Sequence, residues 1–557
     1  MEWTTALPDW EKKIKNGESL IPCAPLFPDE AAEALEVFKQ LKIVDAPGSP
    51  TIGQACDEWV FDFAAAIFGS YDSESGRRLI QEFFKLIPKK NSKSTIAAAI
   101  MITLLIRNWR VSAELIILAP TKEVADNAYN PARDMIKNDE DLDALLNVQD
   151  HIRTITHRGT GATLKVVAAD SNTVGGKKAS FILVDEIHLF GKVAQAENML
   201  REATGGLASR PEGCIIYLTT QSDHPPAGVF KQKLNYARNV RDGNIEDNRF
   251  LPVIYEFPKA MIDAGEHLKP ENFHMVNPNM GISVDLEYLE REFKKATEAG
   301  DDSLLGFLSK FLNVEIGLNL RNDRWSGADF WLKCAGSVSL DELITRSEVV
   351  VVGIDGGGLD DLLGFCAAGR EIETGKWLYF HHAWAHEIVL ERRKDIADRL
   401  QDFVKDGKLT IVKQPGDDVI HLCQMIDQIT KAELLPAQHA VGVDAAGIGS
   451  IVEELTSDQF GITMDQIIAI GQGWKLNGAI KTLERKLAGG QVEHDGSAMM
   501  NWCVSNARVV PVGNAIRIDK QVSGSAKIDP LMAALNATQL LMLNPEGAKK
   551  KYQMFFL

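Results

Sequence analysis

The sequence predicts an α/β protein in two consecutive parts, a parallel-type sheet followed by a mixed α/β sheet. Two observations carry this. From Gly53 to about Leu320, short apolar runs alternate with helical stretches, and buried strands that alternate with helices form a parallel sheet covered on both faces. From Val349 a second alternation starts as a strand meander and continues as strand–helix units, which is a mixed layout. At 557 residues, and roughly 100–200 residues per domain, the chain has room for about three domains. The expected organisation is an N-terminal arm (1–50), a first domain (51–320), a linker (321–345), a second domain (346–545) and a C-terminal tail (546–557).

In the arm, Ala31–Leu41 reads as a short amphipathic helix, closed by Pro47, Gly48 and Pro50. The strands expected in the first domain are Phe83–Ile87, Leu115–Ala119, Leu164–Ala168, Phe181–Asp185, Ile215–Thr219 and Leu251–Glu256. Ser283–Glu298 and Asp302–Leu312 read as helices, and Asn313–Asp341 as a connector. In the second domain the expected strands are Val349–Asp355, Leu363–Gly369, Lys376–Trp384, Thr410–Lys413, Ala440–Asp444 and Ile467–Ile470, with a helix over Leu390–Val404.

Composition bounds the function. Hydrophobic residues make up 45% and charged residues 25%, ordinary globular usage. No run of about 18 apolar residues exists, so no membrane span is expected, and Met1–Asn16 lacks the basic-then-apolar pattern of a signal peptide. Seven dispersed cysteines without a C-x-x-C pair read as reduced thiols of a cytoplasmic protein, not as a zinc site. The net charge of −17 excludes a whole-body basic surface but leaves room for a local basic groove.

Two sets of residues carry chemistry. In the first domain, Lys89-Lys90-Asn91-Ser92-Lys93-Ser94-Thr95 lies between a strand end and a helix start. Backbone N–H groups there hold anions, Lys93 reaches terminal phosphates and the Ser94 hydroxyl serves magnesium. The two usual glycine slots hold Ile87 and Ser92. About 90 residues on, Asp185 and Glu186 close an apolar strand, where Asp185 can orient magnesium and Glu186 can polarise a water. Thr219, Thr220 and Gln221 end a third strand within reach of a γ-phosphate. Ala119-Pro120-Thr121-Lys122 ends another in the same way. In the second domain, Asp355 and Asp444 close two strands and Asp529 precedes an apolar helix, with Pro530 expected at its first position and Asp529 as its cap. Three such carboxylates can hold two Mg2+ or Mn2+ ions for phosphodiester cleavage. His381, His382 and His386 read as packing or turn residues rather than metal ligands.

The first set resembles the additional-strand P-loop ATPases. Asp185-Glu186-Ile187-His188 resembles a helicase box, but no paired-arginine second motor lobe follows Ser222. The second set resembles the ribonuclease-H-like nuclease fold; Asp355-Gly356-Gly357-Gly358 also resembles a sugar-kinase phosphate loop, whose second hairpin is poorly matched by Val443–Gly449. Together they resemble the large subunit of tailed-phage terminases, in the branch whose phosphate loop reads Pro-Arg-Lys-Asn-Gly-Lys-Ser; here it is Pro88-Lys89-Lys90-Asn91-Ser92-Lys93-Ser94. Phe68-Gly69, Gly76-Arg77-Arg78 and Trp325–Cys334 fit the same branch, and the likeness covers about Glu58–Ala537.

The resemblance implies an ATP-driven motor for double-stranded viral DNA and a two-metal endonuclease that cuts concatemers to genome units. It implies Lys93, Ser94 and Asp185 on ATP-magnesium, Glu186 as base, Thr219–Gln221 as coupling segment and Asp355, Asp444 and Asp529 as nuclease ligands. It further implies a homo-oligomeric ring on the portal protein of the procapsid, a terminase small subunit as partner, and a place in the host cytoplasm with transient docking on the procapsid. An arginine acting across subunits would be Arg158 or Arg201. The competing readings are a helicase-nuclease of repair or restriction, and a nucleotide-switched scaffold with a degenerate loop.

Overall fold

The computed structural model describes residues 2–168, 179–190, 196–316, 324–394, 396–444, 449–520 and 526–547. They fall into two compact units, Met1–Ile316 and Gly317–Leu557. No helix among the described residues is long and apolar enough to cross a membrane.

The first unit is built on eight strands: β1 (Glu82–Leu86), β2 (Glu114–Ala119), β3 (Leu146–Gln149), β4 (Thr154–His157), β5 (Thr163–Ala168), β6 (Ala179–Asp185), β7 (Cys214–Thr219) and β8 (Phe250–Ile254). Their order is β8-β1-β7-β6-β2-β5-β4-β3. The first six run parallel, and β4 and β3 add an antiparallel edge. The central runs are apolar on both faces because helices cover both. Phe84, Leu86, Ile182, Val184 and Tyr217 pack on one side. On the other lie helix α1 (Glu58–Phe68) and helix α2 (Lys93–Ile106), which is buried continuously from Ile96 to Leu105. One strand, β7, separates the phosphate-loop strand β1 from β6, which ends in Asp185; this inserted strand is the feature the additional-strand resemblance implies.

Residues 1–50 belong to the first unit. Leu7 N donates to Arg241 O, the Arg241 guanidinium lies 3.8 Å over the Trp10 ring, and the Phe38 and Phe68 rings meet edge to face. The helix expected at Ala31–Leu41 spans Pro28–Gln40.

The second unit has a sheet of seven strands: β9 (Ser347–Gly356), β10 (Leu362–Glu371), β11 (Trp377–His386), β12 (Leu409–Val412), β13 (Val441–Asp444), β14 (Ile467–Ile470) and β15 (Val492–His494). The order is β12-β11-β10-β9-β13-β14, with β15 beside β11. β9, β10 and β11 form an antiparallel meander; β13 and β14 continue parallel to β9. A hairpin, β16 (Ala507–Val512) and β17 (Ala515–Lys520), stands apart from this sheet. Helix α3 (Asp529–Leu541) lies across β9 and β10. That seat requires glycines: a Cβ on Gly353 would stand 2.0 Å from Ala533 O, and one on Gly364 2.7 Å from the Asp529 backbone.

Two expectations change in detail. The single helix expected over Leu390–Val404 is two, Ile388–Arg392 and Ala397–Lys405, and Arg393 between them turns its guanidinium onto Asp360. Within the stretch read as a linker, Ala328–Trp331 is helical, and Trp325 and Trp331 are fully buried in the second unit's core. Weak periodicity there reflects aromatic anchors spaced too irregularly for one helix face.

Candidate functional site

The phosphate-loop segment turns between β1 and α2. Ser92 caps the helix in a left-handed conformation (φ 53°, ψ 23°), and Lys90 is also left-handed (φ 74°). Side chains other than glycine pay for such geometry, about 1 kcal/mol or more each, so something must over-determine it. The fully buried Asn91 does. Its Nδ2 donates to Pro88 O (3.1 Å) and Asn277 Oδ1 (2.8 Å), and its Oδ1 accepts from Asn279 N (3.1 Å). Asn279 Nδ2 reaches Ser92 Oγ (3.2 Å), Ser283 Oγ donates to Lys90 O, and Lys89 N donates to Lys310 O. An asparagine lattice thus holds a loop that lacks its glycines. We expect Asn91→Ala to weaken ATP binding roughly tenfold, because each buried partner left unsatisfied costs about 1–3 kcal/mol; a nucleotide titration matching wild type would refute this.

Lys93 opens the helix, with Ser94 and Thr95 in its first turn. Its ammonium lies 2.6 Å from Glu186 Oε1 and 3.7 Å from Asp185 Oδ1. Burial raises the Asp185 carboxyl, helped by the Glu186 charge; for Glu186 burial is outweighed by Lys93 and His188, which lower it. Glu186 is itself left-handed (φ 53°), strain of the kind stored at working sites.

From Glu186 a chain of close polar contacts leads to the third strand end. His188 Nδ1 stands 3.2 Å from Glu186 Oε2 and 3.1 Å from Thr219 Oγ1. Its Nε2 lies 3.0 Å from Lys310 Nζ, so Nε2 accepts and Nδ1 carries the proton. Lys310 Nζ also donates to Gln221 O, and Thr219 Oγ1 donates to Thr220 O. Thr219, Thr220 and Gln221 are fully buried. Sequence reasoning missed Lys310, Asn277 and Asn279, which lie far along the chain from the groups they support. Thr121 caps the helix Lys122–Lys137. Arg158 is exposed, with its guanidinium on Asp143 O, and Arg201 is exposed and paired with Glu197.

In the second unit, β9 and β13 pair in parallel through Ile354 and Val443, which sets Asp355 and Asp444 side by side at carboxyl ends. Asp529 is the first residue of α3 rather than its cap; Ile528 takes the cap position with no side-chain bond. Asp529 Oδ2 is buried without a hydrogen-bond partner. Asn536 Nδ2 donates to Ile354 O (2.8 Å) and so ties the helix to the strand end. Burial, with the charges of Asp529, Asp444 and Asp361, pushes Asp355 up to about 8. Burial and Asp361 push Asp529 up, against Lys527 and Lys520. Asp361 is a fourth carboxylate that sequence reasoning passed over; Lys527 Nζ lies 2.5 Å from its Oδ1. Carboxylates that oppose one another's ionisation, one with an orphaned buried oxygen, fit divalent cations. Among the described residues, no three His, Cys, Asp or Glu side chains already stand at the spacing of one ion. His381 is buried against Asp495 (2.9 Å), His382 bonds Thr410 and His386 bonds Lys413 O.

Two family models match the chain, the ATPase domain of the terminase large subunit over residues 58–239 and its endonuclease domain over 245–543. Among curated proteins, the chain is 23% identical over 495 residues to the large terminase subunit of Enterobacteria phage HK97, covering 87% of this chain and 91% of that protein. It is 21% identical over 475 residues to the terminase large subunit of Lactococcus phage p2, covering 83% and 82%. The crystal structure of the HK97 bacteriophage large terminase aligns with a TM-score of 0.47 at 19% identity, covering 91% of this chain and 99% of that one.

Proposed function

This chain belongs to the terminase large-subunit family, with an ATPase and an endonuclease domain, and from that premise we propose how its residues divide the work of DNA packaging and cutting. In the first unit, Lys93 and the loop amides bind the terminal phosphates of ATP, while Ser94 and Asp185 hold its magnesium. Glu186 takes the proton of the attacking water. Loss of the γ-phosphate is passed through His188 to Thr219–Gln221. In the second unit, Asp355, Asp444 and Asp529, with Asp361 beside them, would hold two Mg2+ or Mn2+ ions, which supply water activation and leaving-oxygen stabilisation. The observation that supports this division best is the meeting of Asp355 and Asp444 at adjoining strand ends with Asp529 at the start of α3, on a chain that also brings Lys93 to Asp185 and Glu186.

Double-stranded viral DNA is the substrate of both units. The partners would be the portal protein of the procapsid and a terminase small subunit, met in the host cytoplasm, with a ring of identical subunits docked on the procapsid during packaging. Exposed Arg158 or Arg201 would complete a neighbour's ATP site across that ring. A helicase-nuclease reading predicts strand separation, whereas a packaging motor moves intact duplex. The test is ATP-dependent displacement of a triplex-forming strand beside an unwinding assay, with the chain assembled on procapsids. Displacement without unwinding is expected; unwinding of a forked duplex would overturn the packaging-motor reading in favour of the helicase-nuclease.

A further inference from the structure

The rim of the second unit's carboxylate cluster carries an aromatic side chain that the site as described does not use. Strand β14 runs parallel to β13 and sets Ile470 opposite Asp444. The chain then turns through Gly471 and Gln472 into a short 3-10 helix, Gly473–Leu476. This turn is fixed at three points. Gln472 Nε2 donates to Asn536 Oδ1 on α3 (3.0 Å), whose Nδ2 holds Ile354 O next to Asp355. Leu476 is buried in the core beneath it. Asn477 Oδ1 accepts from Ile516 N on β17 (3.1 Å), and β17 packs against the turn.

From this pinned turn Trp474 stands 57% exposed, with exposed Lys475 beside it. Leaving that much indole in water forgoes the stabilisation its burial would bring. The turn is held too firmly for the ring to be a loose loop tip. β17 ends in exposed Lys520, which is close enough to Asp529 to lower its carboxyl pKa. The rim thus combines a flat apolar face with two ammonium groups, beside a carboxylate cluster that would otherwise repel a polyanion. Nucleic acid fits all three properties: bases stack on aromatic faces whatever their sequence, and phosphates seek ammonium groups. An acidic peptide would use the cations but not the open indole face.

We propose that Trp474 is a base-stacking platform of the nuclease site, receiving a base turned out of the duplex near the scissile phosphate while Lys475 and Lys520 take neighbouring phosphates. The inference rests on the nuclease reading of Asp355, Asp444 and Asp529. Stacking on a rigid ring would set the strand's register over the carboxylates independently of sequence.

The test uses the full chain and a short duplex with an unpaired 2-aminopurine, set opposite a gap in the other strand, at successive positions around the cut. Wild type should quench the probe at one or two positions, and Trp474→Ala should lose that quenching. The same variant should raise the KM for cleavage in Mn2+ roughly tenfold with kcat nearly unchanged, and Trp474→Phe should restore most of both. Quenching and KM of Trp474→Ala equal to wild type would overturn the platform, and would leave the exposed indole to a protein contact. Wild type that quenches but never cleaves would instead defeat the nuclease reading and leave the platform standing, because the quenching measurement needs no cleavage.

Discussion

Asp355→Asn should abolish metal-dependent cutting of plasmid DNA while making the metal-free protein more stable. The loss follows from the ligand's role: metal assistance is worth several kcal/mol at the transition state, or about three orders of magnitude in rate. The gain follows from the site's own electrostatics. Burial and three neighbouring aspartates hold Asp355 at about 8, against about 3.9 for an unfolded chain. A carboxyl raised on folding binds its proton more tightly in the native state, so stability is lost as pH climbs from about 4 through about 8. Asparagine has no charge to pay for there. In EDTA, the variant's melting temperature should exceed that of wild type by a margin that widens from pH 5 to pH 8.5, reflecting a stability difference on the order of a few kcal/mol at the upper end. Mn2+ should raise the melting temperature of wild type and do much less for the variant, because only ligands that bind the native state stabilise it. A variant that nicks plasmid normally would remove Asp355 from the site. A wild-type melting curve indifferent to Mn2+ would remove the metal.

The same electrostatics explain why this site was easier to find in the sequence than to detail. Asp185, Asp355 and Asp444 are legible because each ends an apolar run long enough to be a buried strand, and ligands gather at such ends. Strand β14 was readable residue for residue for the same reason. The supports were not legible. Asn91 meets Asn277 and Asn279 across 186 and 188 residues of chain, and His188 meets Lys310 across 122; nothing local marks such pairs. Asp361 follows a glycine turn rather than an apolar run, and its partner Lys527 lies 166 residues on. The hairpin β16–β17 escaped because its strands are half-exposed and carry arginine, lysine and proline instead of an apolar run. The placing of Asp529 as a cap went wrong by one residue, within the ordinary uncertainty of helix ends. The consequence is larger than the error: an aspartate at the first helical position leaves its carboxylate free for the cluster. Residues 445–448 and 548–557, the latter most of the expected tail, lie outside the described residues.

Glu186→Gln should uncouple nucleotide binding from turnover. The general base contributes roughly 10²–10⁴-fold to such reactions, so kcat for ATP should fall by about that factor. Binding should move the other way. The Lys93 ammonium is held 2.6 Å from Glu186 Oε1, and it must leave that carboxylate to reach a phosphate. Glutamine keeps the shape but gives up the charge, so less attraction has to be broken and ATP should bind more tightly. Asp185, 3.7 Å away, still holds Lys93 nearby, which limits the gain to a few-fold. A double substitution with His188→Ala would separate the two roles of this corner: base chemistry is already lost, so any further change must come through Thr219–Gln221. Plasmid cutting should survive Glu186→Gln, because the carboxylates that would hold the nuclease metals belong to a unit with its own core. The measurement is ATP binding by a fluorescent analogue beside phosphate release. Turnover unaffected by the substitution would favour the switched-scaffold reading. Lost turnover with unchanged or weaker binding would show that the Lys93–Glu186 pair does not restrain the loop.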